Sequence, residues 1–597
     1  MELLDLDGVI EKGVFEIPSY QRGYAWQMKQ LKDFWSDLEH VSKLENKFHY
    51  MHSLTLRKSD DDFEDIDFEI IDGQQRLATS LILLGLLAKT TKNENYSLAN
   101  LKFILSYNFY YHDIGEAFRA IMEEERDLEK FKTSFYAKNL IDAYAFFKEK
   151  ISDTPVGTLE KMFDALTKKM LFSVVELNDN RIDPFSSFET INNRGKDLST
   201  LELFKNRLHF VAHKICDEKE ELENLQKKIN DTYTRIYHDL RQFEDAHLES
   251  FLKHFVAYYY GENSKFKERL LNTAFDAHKK YDDLYDEYEK INDLLLYLSY
   301  SSKVWYFLHT LDDEELRIEI TPKMHGLLDK MRRLNALSEN AFLPLLLSLL
   351  TIQLAVRSGS ERHYTTKELE GLLEYLERFG FLIYGVAGKN TAKNEWIGLA
   401  FKAIQACRFW EDKITIEDLP TLEKNFFKGE HSGLELLEEY IHSKKNTEKW
   451  YQWGKVLNYL LYEYELYHNP ETTLNFDSSI ESIEHILPQK PDQSYSAKEK
   501  SWAKNPHIVH ALGNLLLIPK NANSSLSNKP FEEKRKQYLK GSYSEKEVAK
   551  NASFGVVQIK ERSEKLLDFL IARYRIAELV GESAIKAFKN ALLKDIK

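Results

Sequence analysis

Cysteine is nearly absent from this chain of 597 residues, which contains only Cys216 and Cys407. Two cysteines so far apart exclude a disulfide framework and any zinc site built from CxxC pairs. The first residues, MELLDLDGVIEKG, lack the basic and apolar segments of a secretory signal. These absences predict a reduced, cytoplasmic protein.

Long hydrophobic runs are also missing. The longest, residues 341–356, is short for a membrane span and contains Pro344 and Gln353. We therefore expect a buried helix there and no membrane partner. Hydrophobic residues make up 43% and charged residues 30% of the chain, which is typical of a globular protein. The length exceeds what one hydrophobic core usually organises, so several domains are expected.

The charge of the chain is acidic overall but uneven. A formal net charge of −14 argues against a dedicated nucleic-acid coat protein. Residues 490–550 nevertheless contain 12 Lys/Arg and 6 Asp/Glu, a local excess of 12 − 6 = +6. A localised basic segment predicts a phosphate-facing surface, although a solvated helix face would have the same charge. The candidate DNA contacts are Lys529, Lys534, Arg535 and Lys536.

Hydrophobic periodicity predicts the order of the elements. Short strands are expected at GVFEIPSY, HSLTLRK and DFEII, followed by an apolar helix at QQRLATSLILLGLLAK. MLFSVVEL (170–177) indicates one more strand. Helical patterns dominate from about 216 to 450, without a motif of recognisable chemistry. We predict an α+β, predominantly helical fold with three domains, at residues 1–215, 216–449 and 450–597.

Two Gln-Arg pairs each follow an apolar strand, in IPSYQRGYAW (17–26) and IIDGQQR (70–76). Asp72 and Gln75 have the spacing of a helix capping box. Arg76, however, falls in the first helical turn, where the helix dipole disfavours a cation. A glycine turn, a helix N-terminus and an arginine together form a natural anion site. Arg22 and Arg76 are therefore predicted to contact one phosphate group.

A third segment, FETINNRGKDLSTLELFKNRL (188–208), contains a glycine turn and a predicted capping box between Ser199 and Glu202. None of the three segments is a Walker A loop. In this order they resemble the N-terminal domain of GmrSD-type restriction proteins, which is related to the ParB/sulfiredoxin fold. HYMHSLTL departs from that family's aromatic-leucine-glycine turn. The resemblance implies a domain that binds and hydrolyses a nucleoside triphosphate, with a site made of Gln21, Arg22, Asp72, Gly73, Gln74, Gln75, Arg76, Asn193 and Arg194.

The C-terminal third combines IESIEHILPQ (480–489) with HALGNLLLIPKNAN (510–523) and the basic SSLSNKPFEEKRKQY. This order predicts a two-strand hairpin, a loop and a helix. Imidazole titrates near neutrality, so His485 suits a general base. The oxygens of Glu484 and Asn523 suit Mg²⁺ or Mn²⁺. A lone Glu-His pair is more often a surface or core feature, and the interpretation therefore depends on the whole set.

That set resembles the HNH, or His-Me finger, nuclease domain, and in particular the C-terminal domain of GmrSD-type proteins. The resemblance implies a ββα-metal domain in which His485 and Asn514 form the catalytic pair, Asn514 orienting the base, and Glu484 and Asn523 bind the metal. Lys534 and Arg535 would face phosphate. No cysteines accompany this set of motifs, which excludes the zinc-stabilised subtype.

The implied activity is a one-metal DNA endonuclease that depends on, or is regulated by, a nucleoside triphosphate and restricts foreign, modified DNA such as phage DNA. Two alternatives remain open: a nucleotide-gated DNA-binding sensor without cleavage, and an RNA-cleaving toxin. The preferred nucleotide, the DNA modification and the oligomeric state, a homo-oligomer included, are left open by the sequence.

Overall fold

The computed structural model describes residues 2–18, 21, 23–59, 66–108, 112–177, 199–262, 264–276, 279–281, 283–314, 316, 318–356, 360–427, 429–472, 474 and 481–597. The chain divides into two compact units. The first comprises Met1–Arg317 with Leu350–Ala355, and the second comprises Ile318–Leu349 with Val356–Lys597. The division into three domains at 215 and 449 stays a prediction.

The first unit contains a six-stranded mixed sheet. Its strands are β1 Glu2–Leu4, β2 Phe15–Ile17, β3 His49–Lys58, β4 Phe68–Asp72, β5 Leu105–Tyr107 and β6 Met170–Glu176. They lie in the order β1-β6-β3-β4-β2-β5. The pairs β3–β6, β2–β4 and β2–β5 are parallel, whereas β1–β6 and β3–β4 are antiparallel. The four strands expected from the sequence are confirmed; the sequence patterns do not indicate β1 and β5, which have three residues each.

Helices surround this sheet and fill the rest of the first unit. They are α1 Leu6–Ile10, α2 Met28–Ser42, α3 Gln74–Thr91, α4 Leu98–Leu101, α5 His112–Met122, α6 Phe135–Ser152, α7 Val156–Lys168, α8 Thr200–Ile215, α9 Lys219–Asp239, α10 Asp245–Tyr260, α11 Phe266–Glu268 and α12 Leu284–Thr310. A π-helical turn, Arg269–Ala274, and two 3-10 turns, Glu94–Tyr96 and Glu129–Phe131, join them. The apolar helix predicted at QQRLATSLILLGLLAK is α3, which is buried along almost its whole length because α6 and α7 pack against it.

The described part of the second unit is helical apart from one strand pair. Its helices are α13 Pro322–Ser338, α14 Leu343–Ala355 (of which Leu350–Ala355 belong to the first unit), α15 Thr366–Phe379, α16 Lys393–Phe409, α17 Leu422–Phe426, α18 Gly433–His442, α19 Lys455–His468, α20 Ala497–Ala503, α21 Pro506–Val509, α22 Lys520–Leu526, α23 Phe531–Tyr538, α24 Tyr543–Ala549, α25 Val556–Arg573, α26 Ala577–Val580 and α27 Glu582–Leu593. A π-helical turn, Gly380–Val386, and the 3-10 turns Ile416–Asp418, Tyr451–Trp453 and Leu512–Asn514 complete it. The longest apolar run is α14, a buried helix as predicted.

The chain is therefore predominantly helical with a small mixed sheet in its N-terminal part. Within the described residues, no helix combines the length and apolar character needed to cross a membrane.

The strand pair of the second unit consists of β7 Glu481–His485 and β8 Leu515–Pro519, which run antiparallel with His485 opposite Leu515. Helix α22 begins directly after β8. The predicted strands and helix are confirmed, but the predicted hairpin is not a tight one. The connection between the strands contains α20, α21 and a 3-10 turn, and Asn523 lies on α22 rather than in a loop.

Candidate functional site

The C-terminal motifs meet at β7. His485 is the last residue of this strand, and the backbone N–H of the following Ile486 donates to the carbonyl of Asn514 at 3.0 Å. The Asn523 amide Nδ2 donates to Ser482 Oγ at 2.8 Å and to the Ile483 carbonyl at 3.1 Å. Residues far apart in the sequence therefore converge on one short strand.

His485 is held in a defined orientation. Its side chain is buried, and its Nε2 lies 3.0 Å from His510 Nδ1. The Gln489 amide Nε2, which can only donate, lies 3.3 Å from His485 Nδ1 and 3.4 Å from His485 Nε2. His510 and Gln489 therefore hold the position of the ring, and His510 contacts it at Nε2. The Tyr451 ring packs beside the imidazole at a centroid distance of 4.8 Å.

Burial also determines the charge of His485. Burial, together with smaller contributions from the neighbouring His510 and Lys534, lowers the pKa of His485 to about 3. The ring is thus neutral near pH 7, the form that can accept a proton. Because the unfolded chain binds this proton near pH 6.5 and the folded chain does not, His485 destabilises the fold as the pH falls from about 6.5 to about 3.

Asn514 is fully buried and bonds only to backbone. Its Oδ1 accepts from the N–H of Leu487 at 2.7 Å. Its Nδ2 donates to the carbonyls of Leu487 at 2.9 Å and Val509 at 2.7 Å. Asn514 thus fixes the backbone of the segment that follows His485, and its role in orienting the base stays a prediction.

Helix α25 braces the same segment. Arg562 Nη1 donates to the carbonyls of Gly513 at 2.9 Å and Leu515 at 2.7 Å. A Cβ atom at Gly513 would lie 2.0 Å from the Ile559 carbonyl oxygen, so only glycine fits this approach. The sequence shows the Gly-Asn pair but gives no sign that Arg562, within a Lys/Glu-rich helix, supports it. His510 is also missed, although it stands four residues before Asn514.

The structure corrects the position expected for Lys534, which pairs with Glu484. Lys534 is completely buried; its Nζ lies 2.5 Å from Glu484 Oε1 and donates to the His485 carbonyl at 2.8 Å. The Tyr538 hydroxyl donates to the same Oε1 at 3.2 Å. Burial raises the pKa of Glu484 and lowers that of Lys534, and their mutual attraction opposes both changes. Lys534 thus faces Glu484 rather than a phosphate. The metal-ligand role of Glu484 stays a prediction.

The other three basic candidates differ in exposure. Lys529 and Lys536 are exposed, on either side of the start of α23. Arg535 is half-buried, and its Nε donates to the Ala549 carbonyl at 2.8 Å. Lys529 and Lys536 are therefore the two candidates that are open to a polyanion.

In the first unit, two glutamines connect the Gln-Arg motifs. Gln21 Nε2 donates to the Ile71 carbonyl at 2.6 Å. Gln75 Oε1 accepts from the N–H of Ala25 at 2.8 Å, and Gln75 Nε2 donates to the Gly23 carbonyl at 2.9 Å. Both side chains, like Gln74, are buried. The structure therefore brings the two motifs together, with Gln21 and Gln75 as the connecting residues.

The expected capping box between Asp72 and Gln75 is wrong. The N-cap of α3 is Gly73, whose φ of 104° lies in the left-handed region. Asp72 instead forms an ion pair with Arg76 at 2.9 Å, and Arg76 Nη1 donates to the Met51 carbonyl at 3.1 Å. The carboxylate offsets the unfavourable position of a cation in the first helical turn. By contrast, the capping box between Ser199 and Glu202 is confirmed.

The segment HYMHSLTL, which departs from the family's aromatic-leucine-glycine turn, lies in β3 and contains a β-bulge. The pairing of β3 with β6 shifts register between Tyr50 and Ser53. His52 lies inside this bulge with φ at 65°, a conformation that glycine adopts without strain. The bulge positions the Met51 carbonyl that Arg76 contacts.

Replacing His52 by glycine should therefore not lower the stability of the first unit, and should raise it by up to about 1 kcal/mol. His52→Val should lower it by about 1–2 kcal/mol, because β-branched residues tolerate a positive φ poorly. Urea unfolding, combined with hydrogen exchange of the β3 amides, measures both. His49→Gly, at an ordinary position of the same strand, is the control and should be destabilising. Equal effects of glycine at 49 and 52 would contradict the role of the bulge.

Three of the predicted nucleotide-binding residues, Arg22, Asn193 and Arg194, lie outside the described residues.

Comparison with known families finds a match in the N-terminal part and another in the C-terminal part of the chain. Residues 3–209 match the model of the GmrSD restriction endonuclease N-terminal domain, and residues 437–569 match that of the C-terminal domain of GmrSD restriction endonucleases. No curated protein matches the chain. The two matches support a nuclease with a restriction function, for which DNA is the partner. The chain belongs to the GmrSD restriction endonuclease family.

Proposed function

We propose that this protein cleaves foreign, modified DNA by a one-metal HNH mechanism under the control of a nucleoside triphosphate. The observation that carries the proposal is the convergence of His485, Asn514 and Asn523 on an antiparallel strand pair followed by a helix. This order of strand, strand and helix is the one expected of a ββα-metal nuclease.

In this proposal His485 Nδ1 accepts the proton of the attacking water. The proposed tautomer has the proton on Nε2, where it is donated to His510 Nδ1 at 3.0 Å, and this leaves the Nδ1 lone pair available. Gln489 must yield its place to the water, since its amide occupies the approach to Nδ1. Asn514 and Arg562 keep the segment after His485 fixed during this exchange.

The residues present fit a Mg²⁺ or Mn²⁺ ion with few protein ligands. Asn523 donates through Nδ2, which fixes its amide and leaves Oδ1 as a neutral oxygen ligand. Mg²⁺ often takes one or two protein oxygens and fills the other positions with water and phosphate. When bound, the ion lowers the pKa of the attacking water, which a base as weak as His485 requires. We propose Asn523 as the ligand and Glu484 as the counter-ion of Lys534.

The DNA surface is proposed to include Lys529 and Lys536. Both are exposed. Lys529 precedes α23 and Lys536 lies in its last turn, and this helix contacts the end of β7 through Lys534. Phosphate contacts of this kind fix the position of the duplex without reading its sequence. Each one lost should reduce the salt dependence of binding by about one unit.

The nucleotide is proposed to bind near the Asp72–Arg76 ion pair. The pair is half-buried, with about one-fifth of each side chain exposed, at 20% and 18% respectively. A triphosphate can replace the Asp72 carboxylate as the partner of Arg76, which frees Asp72 for the metal that accompanies the nucleotide. Such an exchange gives the nucleotide different affinities for two arrangements of the site, as regulation requires.

Arg76→Ala should weaken nucleotide binding by about 1.5–3 kcal/mol, because a charge-assisted hydrogen bond to phosphate is lost. Nucleotide hydrolysis and the effect of nucleotide on cleavage should be lost with it, while metal-dependent nicking remains. Isothermal titration and plasmid cleavage with increasing nucleotide measure these effects. Arg57→Ala is a matched control, since Arg57 lies in β3 and pairs with Glu69. Identical nucleotide responses in wild type and Arg76→Ala would contradict the assignment.

The function itself is tested with the full chain on plasmids carrying different base or backbone modifications, with Mg²⁺ and with or without each triphosphate. Cleavage confined to a modified plasmid is the expected result. Binding without cleavage would favour the sensor, and cleavage of labelled tRNA in place of plasmid would favour the RNA-cleaving alternative.

A further inference from the structure

Three side chains outside the candidate nuclease centre come together in the second unit. His442 is the last residue of α18, His507 lies in α21, and Asp595 follows α27. One ligand atom from each side chain lies within 4.8 Å of the other two. Among the described residues, these three form the one group of at least three histidine, cysteine or acidic side chains with this spacing.

The distances within this group are somewhat longer than those between ligands of a shared ion. Asp595 Oδ2 lies 3.6 Å from His442 Nδ1 and 3.8 Å from His507 Nδ1, beyond hydrogen-bond length. Tetrahedral zinc with bonds of about 2.0–2.1 Å separates its ligand atoms by about 3.4 Å. Small rotations of the three side chains would bring them to that separation.

A second observation is the state of His442. Its Nε2 is buried and has no hydrogen-bond partner among the described residues, and its Nδ1 faces the carboxylate without bonding to it. The ring therefore makes no protein hydrogen bond within the described residues and is not held in place by one. Metal ligation by Nδ1 would give this nitrogen a partner and would place the ring proton on Nε2.

We propose that His442, His507 and Asp595 bind one divalent transition-metal ion of the zinc class. Two imidazole nitrogens and one carboxylate oxygen suit this class, whereas Mg²⁺ prefers an all-oxygen set. Three protein ligands leave a fourth position for water. The site is separate from the proposed Mg²⁺ position at Asn523.

The position of the site indicates a structural role. The ion would link Asp595 to α18 and α21 through His442 and His507. Helix α21 leads directly to His510, the hydrogen-bond partner of His485. Asp595 lies beyond the matched residues 437–569, so the complete ligand set is not contained in the family match. The cations of Lys449 and Lys594 lie near His507 and oppose the metal charge, which the Asp595 carboxylate offsets.

The test uses the full chain, stripped with a chelator and then titrated with ZnCl₂ alone. We expect one zinc per chain by elemental analysis and a rise in the thermal midpoint of about 5 °C at saturating zinc. Asp595→Asn and His507→Asn should each weaken zinc binding at least tenfold. Substituting Co²⁺ should give the visible absorption bands of a tetrahedral site in the wild type alone.

Two controls separate this site from others. His431→Asn changes an exposed histidine of the same unit that lies 3.9 Å from Glu439, and zinc binding should be unchanged. Asn523→Ala should also leave it unchanged, because Asn523 belongs to the proposed nuclease centre. Less than one-tenth of an equivalent of bound zinc would overturn the proposal. So would zinc affinity that survives both Asp595→Asn and His507→Asn, or that is lost in Asn523→Ala.

Discussion

His485→Ala should reduce Mg²⁺-dependent DNA cleavage by a factor of about 10²–10⁴, the usual contribution of a positioned general base. Nucleotide hydrolysis should be unaffected, because no nucleotide-site residue is changed. The proposed acceptor is Nδ1, so His485→Gln, which keeps much of the volume but offers no basic nitrogen, should lose activity equally. Single-turnover cleavage of plasmid DNA measures the chemical step.

The pH dependence provides an independent check. Since burial lowers the pKa of His485 to about 3, the acid limb of kcat/KM should not follow an ordinary histidine near 6.5. Activity should persist below pH 6, until the neutral base is protonated or the fold is lost. His431→Ala, at an exposed histidine of the same unit, should cleave like the wild type. Wild-type rates from His485→Ala, or an acid limb centred at 6.5, would remove His485 from the role of base.

The sequence predicts best the features that depend on neighbouring residues. The box between Ser199 and Glu202 forms because both partners lie in one helical turn. The box between Asp72 and Gln75 has the same spacing but does not form. Gln75 is bonded to the backbone of residues 23–25, and Asp72 is paired with Arg76. Tertiary partners that the local pattern does not contain determine which hydrogen bonds are made.

The candidate centre shows the same limit. Residue types and order indicate His485, Asn514 and Asn523, and the structure brings these three to one strand. Charge composition, however, cannot distinguish an exposed lysine from a buried one. Lys534 and Lys536 belong to one basic run, yet only Lys536 is exposed. His510 is a supporting residue that becomes recognisable only when the fold places it beside His485.

Lys534→Met should lower the free energy of unfolding of the second unit by about 3–5 kcal/mol, because it leaves the buried Glu484 carboxylate without its partner. The end of β7 should loosen as well, since Lys534 also donates to the His485 carbonyl. Cleavage should therefore fall even at temperatures where the variant remains folded. Denaturant unfolding and hydrogen exchange of the β7 amides measure the two effects. Lys536→Met, on the exposed side of α23, should change stability by less than about 0.5 kcal/mol.

Two measurements determine whether loss of the ion pair causes the lower stability of Lys534→Met: the direction of its pH dependence and the effect of a second substitution. Burial raises the pKa of Glu484, and removing Lys534 should raise this pKa further. The unpaired carboxylate therefore destabilises the fold only as the pH rises through the pKa of Glu484 in the variant and the group becomes charged. The deficit of Lys534→Met should accordingly be smaller at pH 5 than at pH 8. Adding Glu484→Gln should recover much of the lost stability, because no buried charge then remains. A deficit that is independent of pH and unchanged by Glu484→Gln would instead indicate lost packing of the lysine side chain. DNA binding should also be compared under conditions in which both variants are fully folded. Weaker binding by Lys534→Met but not by Lys536→Met would support a phosphate contact for Lys534.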